Sequence, residues 1–172
     1  MKTYIGIDIG KKGSIVVLSP EAIQVHPMPM VKDELAYSDL FDLLQHIQLT
    51  EVAKTGGNPY LVFEKLGVIF GSSKATAFSM GYQSGAIEMM AIALGIPYTK
   101  VPAKQWQKDM FQGVDVIKKT GKTSNDTKAM ALIAVKRIFP TQKLTFGDRA
   151  TKPHDGLVDA LLMAEYAKRK NL

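Results

Sequence analysis

Cysteine is absent from the 172 residues. No disulfide, thiolate zinc site or cysteine nucleophile can therefore be built. Long apolar runs are missing as well: none reaches the ~18 residues that a membrane helix needs. The opening Met1-Lys2-Thr3-Tyr4 lacks the shape of a signal peptide. A soluble, cytoplasmic chain with no membrane partner is the expectation. The phosphate loop G-x-x-x-x-G-K-[ST] does not occur, which removes the P-loop nucleotide hydrolases. No repeat, low-complexity stretch or linker divides the chain, so residues 1–172 are expected to form a single domain.

What is present is an ordinary globular composition, 46% hydrophobic and 22% charged. The net charge of +6 is unevenly spread. Residues 100–152 hold 12 Lys and Arg against 4 acids, a local net of +8, and the remainder nets −2. Clustered cations gain affinity for nucleic acid by releasing its counterions. The same cluster would also serve as a solvated surface.

Hydrophobic periodicity orders the elements. Ile5, Ile7 and Ile9 alternate with Tyr4, Gly6, Asp8 and Gly10, the pattern of a strand. Residues 14–18 and 22–26 read as two further strands after tight turns, giving an antiparallel meander. Leu40, Leu43, Leu44 and Ile47 fall at helical spacing over 37–47, with a loop over 50–59. Residues 60–63 form a buried strand ending at Glu64. A loop follows over 65–73, then a helix over 74–94, then a strand over 96–101. A short helix opens at 102–106, a basic loop covers 113–124, and helices are expected over 125–139 and 155–169. The order predicts an α/β fold, with a mixed five-stranded sheet flanked by helices. Gly81 and Gly85 lie on one face of the long helix. Their cost to a helix interior implies a close neighbour there, either a sheet or another subunit. With Met80, Met89 and Met90 nearby, a homodimer is expected.

Four acids stand where a packed core would not want them. Asp8 interrupts an apolar strand between two glycines. Glu64 ends a buried strand. Asp155 and Asp159 share one helix face beside apolar neighbours. Grouped carboxylates repel each other and resist burial, and hard cations relieve both costs. The set therefore suits Mg²⁺, with Mn²⁺ as a substitute, in phosphodiester cleavage. Phosphate contacts are expected from Lys74, Lys104, Lys108, Lys118, Lys119, Lys122, Lys128 and Lys152. Phe70, on the loop after Glu64, suits a wedge at an opened base pair or a place in the core. Trp106 reads as core.

The segments Ile5-Gly6-Ile7-Asp8-Ile9-Gly10, Val62-Phe63-Glu64 and His154-Asp155-Gly156-Leu157-Val158-Asp159-Ala160-Leu161-Leu162 resemble the RuvC-type Holliday junction resolvases, closest to the shorter, phage-associated branch. Phe70-Gly71-Ser72-Ser73-Lys74, Gly81-Tyr82-Gln83-Ser84-Gly85 and Pro102-Ala103-Lys104-Gln105-Trp106 extend the likeness over the whole chain. The resemblance implies a ribonuclease H-like fold, a homodimer, and Mg²⁺-dependent nicking of four-way and other branched DNA junctions. It also implies Asp8, Glu64, Asp155 and Asp159 as metal ligands. The last two acids stand four apart, where many relatives have them three apart. That leaves open whether Asp155, Asp159 or the neighbouring His154 completes the set. Three other readings remain: a ribonuclease H-like enzyme acting on RNA or RNA–DNA hybrid, an actin-like-fold ATP-binding module, and a non-catalytic nucleic-acid-binding protein.

Overall fold

The computed structural model describes residues 2–67 and 73–172. Strands β1 (Tyr4–Asp8), β2 (Ser14–Leu18) and β3 (Ile23–Pro27) form the expected meander. A small hairpin, β4 (Met30–Val31) and β5 (Glu34–Leu35), leads into α1 (Tyr37–Thr55). Then come β6 (Tyr60–Glu64), α2 (Lys74–Ala93), β7 (Tyr98–Val101), α3 (Ala103–Met110), α4 (Thr127–Ile138) and α5 (Asp155–Arg169). The main sheet has five strands in the order β3-β2-β1-β6-β7. β1 sits at its centre, antiparallel to β2 and parallel to β6.

The period-2 alternation of β1 divides the interior. Ile5 and Ile7 face one core, closed by Leu40, Leu44, Ile87 and Ala91 of α1 and α2. Tyr4, with Val16 and Val62 of the neighbouring strands, faces the other core, closed by α3, α4 and α5. α5 is buried along nearly its full length and lies directly over β1 and β2. Gly6 makes that approach possible, because a Cβ there would overlap the Ala160 carbonyl oxygen. Overpacking against backbone cannot be relieved by a side-chain rotation. Gly6→Ala should cost about 3 kcal/mol of stability, measured by urea unfolding.

Three local expectations need revision. The loop expected over 50–59 is helical as far as Thr55. Gly56 stops the helix in the left-handed region (φ 72°), with its N–H on the Val52 carbonyl. The added turns bury Glu51, which accepts a 2.6 Å hydrogen bond from Thr3 Oγ1. The last strand starts at Tyr98 rather than at residue 96. On α2, the close approach expected at Gly81 and Gly85 does not come from a sheet. A Cβ on either would meet nothing within 4 Å among the described residues. Phe78, Tyr82, Met89 and Ile92 continue the same exposed face. No helix among the described residues is long and apolar enough to cross a membrane.

Candidate active site

The C-terminal ends of two neighbouring parallel strands carry the first two acids. Asp8 closes β1 and Glu64 closes β6, each just past Ile7 and Phe63, the last residues that these two strands pair with each other. α5 brings the other two. Its first residue is Asp155, and Asp159 follows one turn later on the same face. His154 caps this helix, with Nδ1 accepting the Leu157 N–H at 3.3 Å. Its ring packs edge-on against Phe146 at 5.0 Å. His154 therefore anchors the helix that carries the acids. Gly156 is equally constrained. A Cβ there would overlap the Lys12 carbonyl oxygen and come within 2.7 Å of Asp8 Oδ2. Gly156 thus lets the start of α5 sit against the β1–β2 turn and the Asp8 carboxylate. The sequence shows this residue inside the Asp-Gly-Leu-Val-Asp segment, but not its steric role.

The electrostatics follow from this crowding. Burial pushes the Asp8 carboxyl up to about 8, helped by the charges of Asp159 and Glu64, while Lys128 pulls it back. Asp159 is pushed up to about 7 by burial and then by Glu64 and Asp155. Asp8 and Asp159 repel each other, so the loss of a proton from one makes loss from the other harder. The two values belong to the coupled pair. Glu64 is raised by burial and lowered by the Trp106 indole. Asp155 is exposed and forms a 2.6 Å ion pair with Lys128. At that exposure the pair adds little to stability.

An open cleft of about 380 Å³ joins Asp8, Asp155, Asp159, Lys128 and Lys152. Among the described residues, no three His, Asp or Glu side chains converge closely enough to clasp one ion as they stand. The donor chemistry nevertheless fits a hard divalent cation. The site offers carboxylate oxygens beside a cleft open to water, and burial, then the neighbouring acids, pushes the Asp8 and Asp159 carboxyls up. Swinging Asp155 away from Lys128 would complete such a donor set.

Of the expected phosphate contacts, Lys128 and Lys152 line the acid cleft. Lys118, Lys119 and Lys122 project from a loop closed by a bridge between Lys118 and Asn125. Lys118 donates to the uncharged Asn125 side chain. Lys104 and Lys108 are exposed on α3, and Lys74 is exposed at the start of α2. Two other cations of the basic segment are partly neutralised, Lys100 by Glu88 and Lys143 by Asp148. Phe70 lies outside the described residues.

This arrangement is the ribonuclease H-like α/β fold, with its acids at the ends of the two central parallel strands and on the helix that crosses them. No protein-family model matches the chain, and no curated protein matches it in sequence. Solved structures do. RuvC of T. thermophilus in complex with a Holliday junction substrate is 16% identical, with a TM-score of 0.57, over 99% of this chain and 96% of that one. Another Thermus thermophilus RuvC structure is 17% identical, with a TM-score of 0.56, over 98% and 96%. The yeast mitochondrial Holliday junction resolvase Ydc2 is 16% identical, with a TM-score of 0.54, over 98% of this chain and 78% of that one. The chain shares the fold of the RuvC resolvases along nearly its whole length.

Proposed function

We propose that this protein is a metal-dependent, structure-selective endonuclease that nicks four-way and other branched DNA junctions as a homodimer. The observation that carries the reading is the gathering of Asp8, Glu64, Asp155 and Asp159 on a fold shared with Holliday junction resolvases. Asp8, Glu64 and Asp159, joined by Asp155, would hold Mg²⁺, with Mn²⁺ able to substitute. Mg²⁺ there would polarise a phosphate oxygen and ease deprotonation of the attacking water. The chain supplies the rest. Lys128, which pairs with Asp155 and lines the cleft with Lys152, would bind the scissile phosphate, and Lys152 would neutralise the adjacent one. His154 and Gly156 hold the start of α5 so that Asp155 and Asp159 face Asp8.

Outside the cleft, Lys74, Lys104, Lys108, Lys118, Lys119 and Lys122 are exposed and suited to backbone phosphates, which position DNA without reading its sequence. Neutralising Lys118, Lys119 and Lys122 together should weaken binding to all DNA alike. The slope of log affinity against log salt should fall by about 2 to 3. An unchanged slope in filter binding would make the loop a solvated surface. The α2 face, exposed and with room at Gly81 and Gly85 among the described residues, supports pairing with a second copy.

The deciding experiment compares labelled four-way junction, flap, Y-fork, linear duplex and RNA–DNA hybrid with Mg²⁺. Paired nicks near the crossover of the junction, resistant to excess duplex, are expected. Preference for the hybrid would overturn the substrate and keep the metal chemistry. Preference for a duplex of one sequence would overturn branch selectivity.

A further inference from the structure

The only tryptophan of the chain is 1% exposed, in the first half of α3. Packing alone would be served by phenylalanine. Trp106 brings a polar group into the core besides, and its Nε1 makes no hydrogen bond among the described residues. A buried N–H is costly to leave unpaired, and buried tryptophan usually finds an acceptor. The carboxylate that strand pairing brings beside the start of α3 is Glu64, at the end of β6, and the two complete no hydrogen bond among the described residues.

The backbone accounts for the meeting. Glu64 pairs in register with Val101 of β7, and the Lys65 N–H closes on the Val101 carbonyl. Pro102 then turns the chain into α3, so the first turn of that helix stands beside the end of β6. α3 is itself pinned to α5. Gln105 donates to the Tyr166 hydroxyl at 2.7 Å, and Lys170 pairs with Asp109 at 2.7 Å. The Trp106 ring is further held edge-on to Phe111 at 6.1 Å. The indole is thus fixed on a rigid element, while Glu64 ends a strand on a side chain with several free torsions.

The geometry points to Trp106 as a positioning residue: its indole N–H completes a hydrogen bond to the Glu64 carboxylate and turns the other oxygen toward the metal. Carboxylate ligands commonly need such a partner from outside the ligand set. Removing one weakens metal binding by about 10- to 100-fold. The inference rests on the metal-dependent reading of the site.

Because there is one tryptophan, the protein gives one indole N–H signal in an ¹⁵N-labelled sample. That signal should move on Mg²⁺ titration of the DNA-free protein, with the same midpoint as the backbone amides of Asp8 and Asp159. In Glu64→Gln the indole signal should start from a different position and stay there. Trp106→Phe should weaken Mn²⁺ binding by about tenfold in calorimetry, with little change in circular dichroism. If the Asp8 and Asp159 amides move while the indole does not, the positioning role is wrong and the metal site stands. Folded Trp106→Phe that binds Mn²⁺ as tightly as the parent would likewise remove the positioning role alone. If no signal moves and no heat appears in the unaltered protein, the metal reading falls and this inference falls with it.

Discussion

Asp8→Asn should remove cleavage by on the order of a thousandfold or more, and yet resist urea better than the parent at neutral pH. Both effects come from one cause. The Asp8 carboxyl is pushed up to about 8 by burial and by Asp159 and Glu64. In the unfolded chain it would titrate near its ordinary value. Between those two values the folded state binds more protons than the unfolded one, so stability falls as pH rises. The penalty is absent below the ordinary carboxylate range and fully developed above about 8. Asparagine keeps the shape and removes the charge. The gain should be about 2 kcal/mol at pH 7, less than the whole shift implies, because Lys128 and the open cleft relieve part of the repulsion. It should vanish near pH 4. Mg²⁺ should stabilise the parent more than the variant. At limiting Mg²⁺, parental cleavage should rise between about pH 6 and 8 as the coupled pair Asp8 and Asp159 loses its protons. A variant that cuts normally, or one that is less stable than the parent at pH 7, would contradict the assignment.

A comparable loss is expected from the exposed face of α2. Phe78, Tyr82, Met89 and Ile92 are exposed on α2, with Gly81 and Gly85 open between them. The helix is apolar on its inner face too, where Ile87 and Ala91 enter the core. A helix apolar on both faces is stable in water only when both are covered. Tyr82 also packs against Tyr37, so replacing it would confuse folding with assembly. Met89→Glu with Ile92→Glu avoids that contact and sets like charges against each other across a two-fold axis. Sedimentation at micromolar concentration should show a dimer for the parent and a monomer for the double variant. Junction cleavage should change from paired, symmetrical nicks to single ones, with a large loss of resolved product. A monomeric parent, with or without DNA, would remove the dimer from the mechanism.

These two sites are unequally legible in the sequence. Asp8 shows itself through alternation, since a charged residue on the buried face of an apolar strand needs a reason. The bounds of α5 are readable because Pro153 and His154 precede a clean apolar stripe, and the structure begins that helix at Asp155. The β4–β5 hairpin is not readable. Its turn places Lys32 and Asp33 at positive φ, 47° and 67°, without a glycine to announce it. The last turns of α1 are hidden because Gly56-Gly57-Asn58 signals a loop, while Glu51 looks like a surface acid until Thr3 meets it. Trp106 reads as core and is core, but its N–H cannot be assigned from the sequence. The acceptor lies 42 residues earlier in the chain and is reached only because β6 and β7 pair. Long-range meetings of this kind carry no local periodicity.

The contact between Gly6 and Ala160 also bears on the order of events during synthesis. β1 leaves the ribosome before α5, which follows some 150 residues later. Until then the faces of Tyr4, Val16 and Val62 that α5 covers stay bare, and Asp8 has no Asp159 to repel it. The nascent chain therefore holds a half-covered sheet with Asp8 and Glu64 but neither acid of α5. Closing a loop of that length is slow, and exposed sheet faces invite aggregation while it is pending. A message cut short before Asp155 would yield a sheet without its cover, not a weak nuclease.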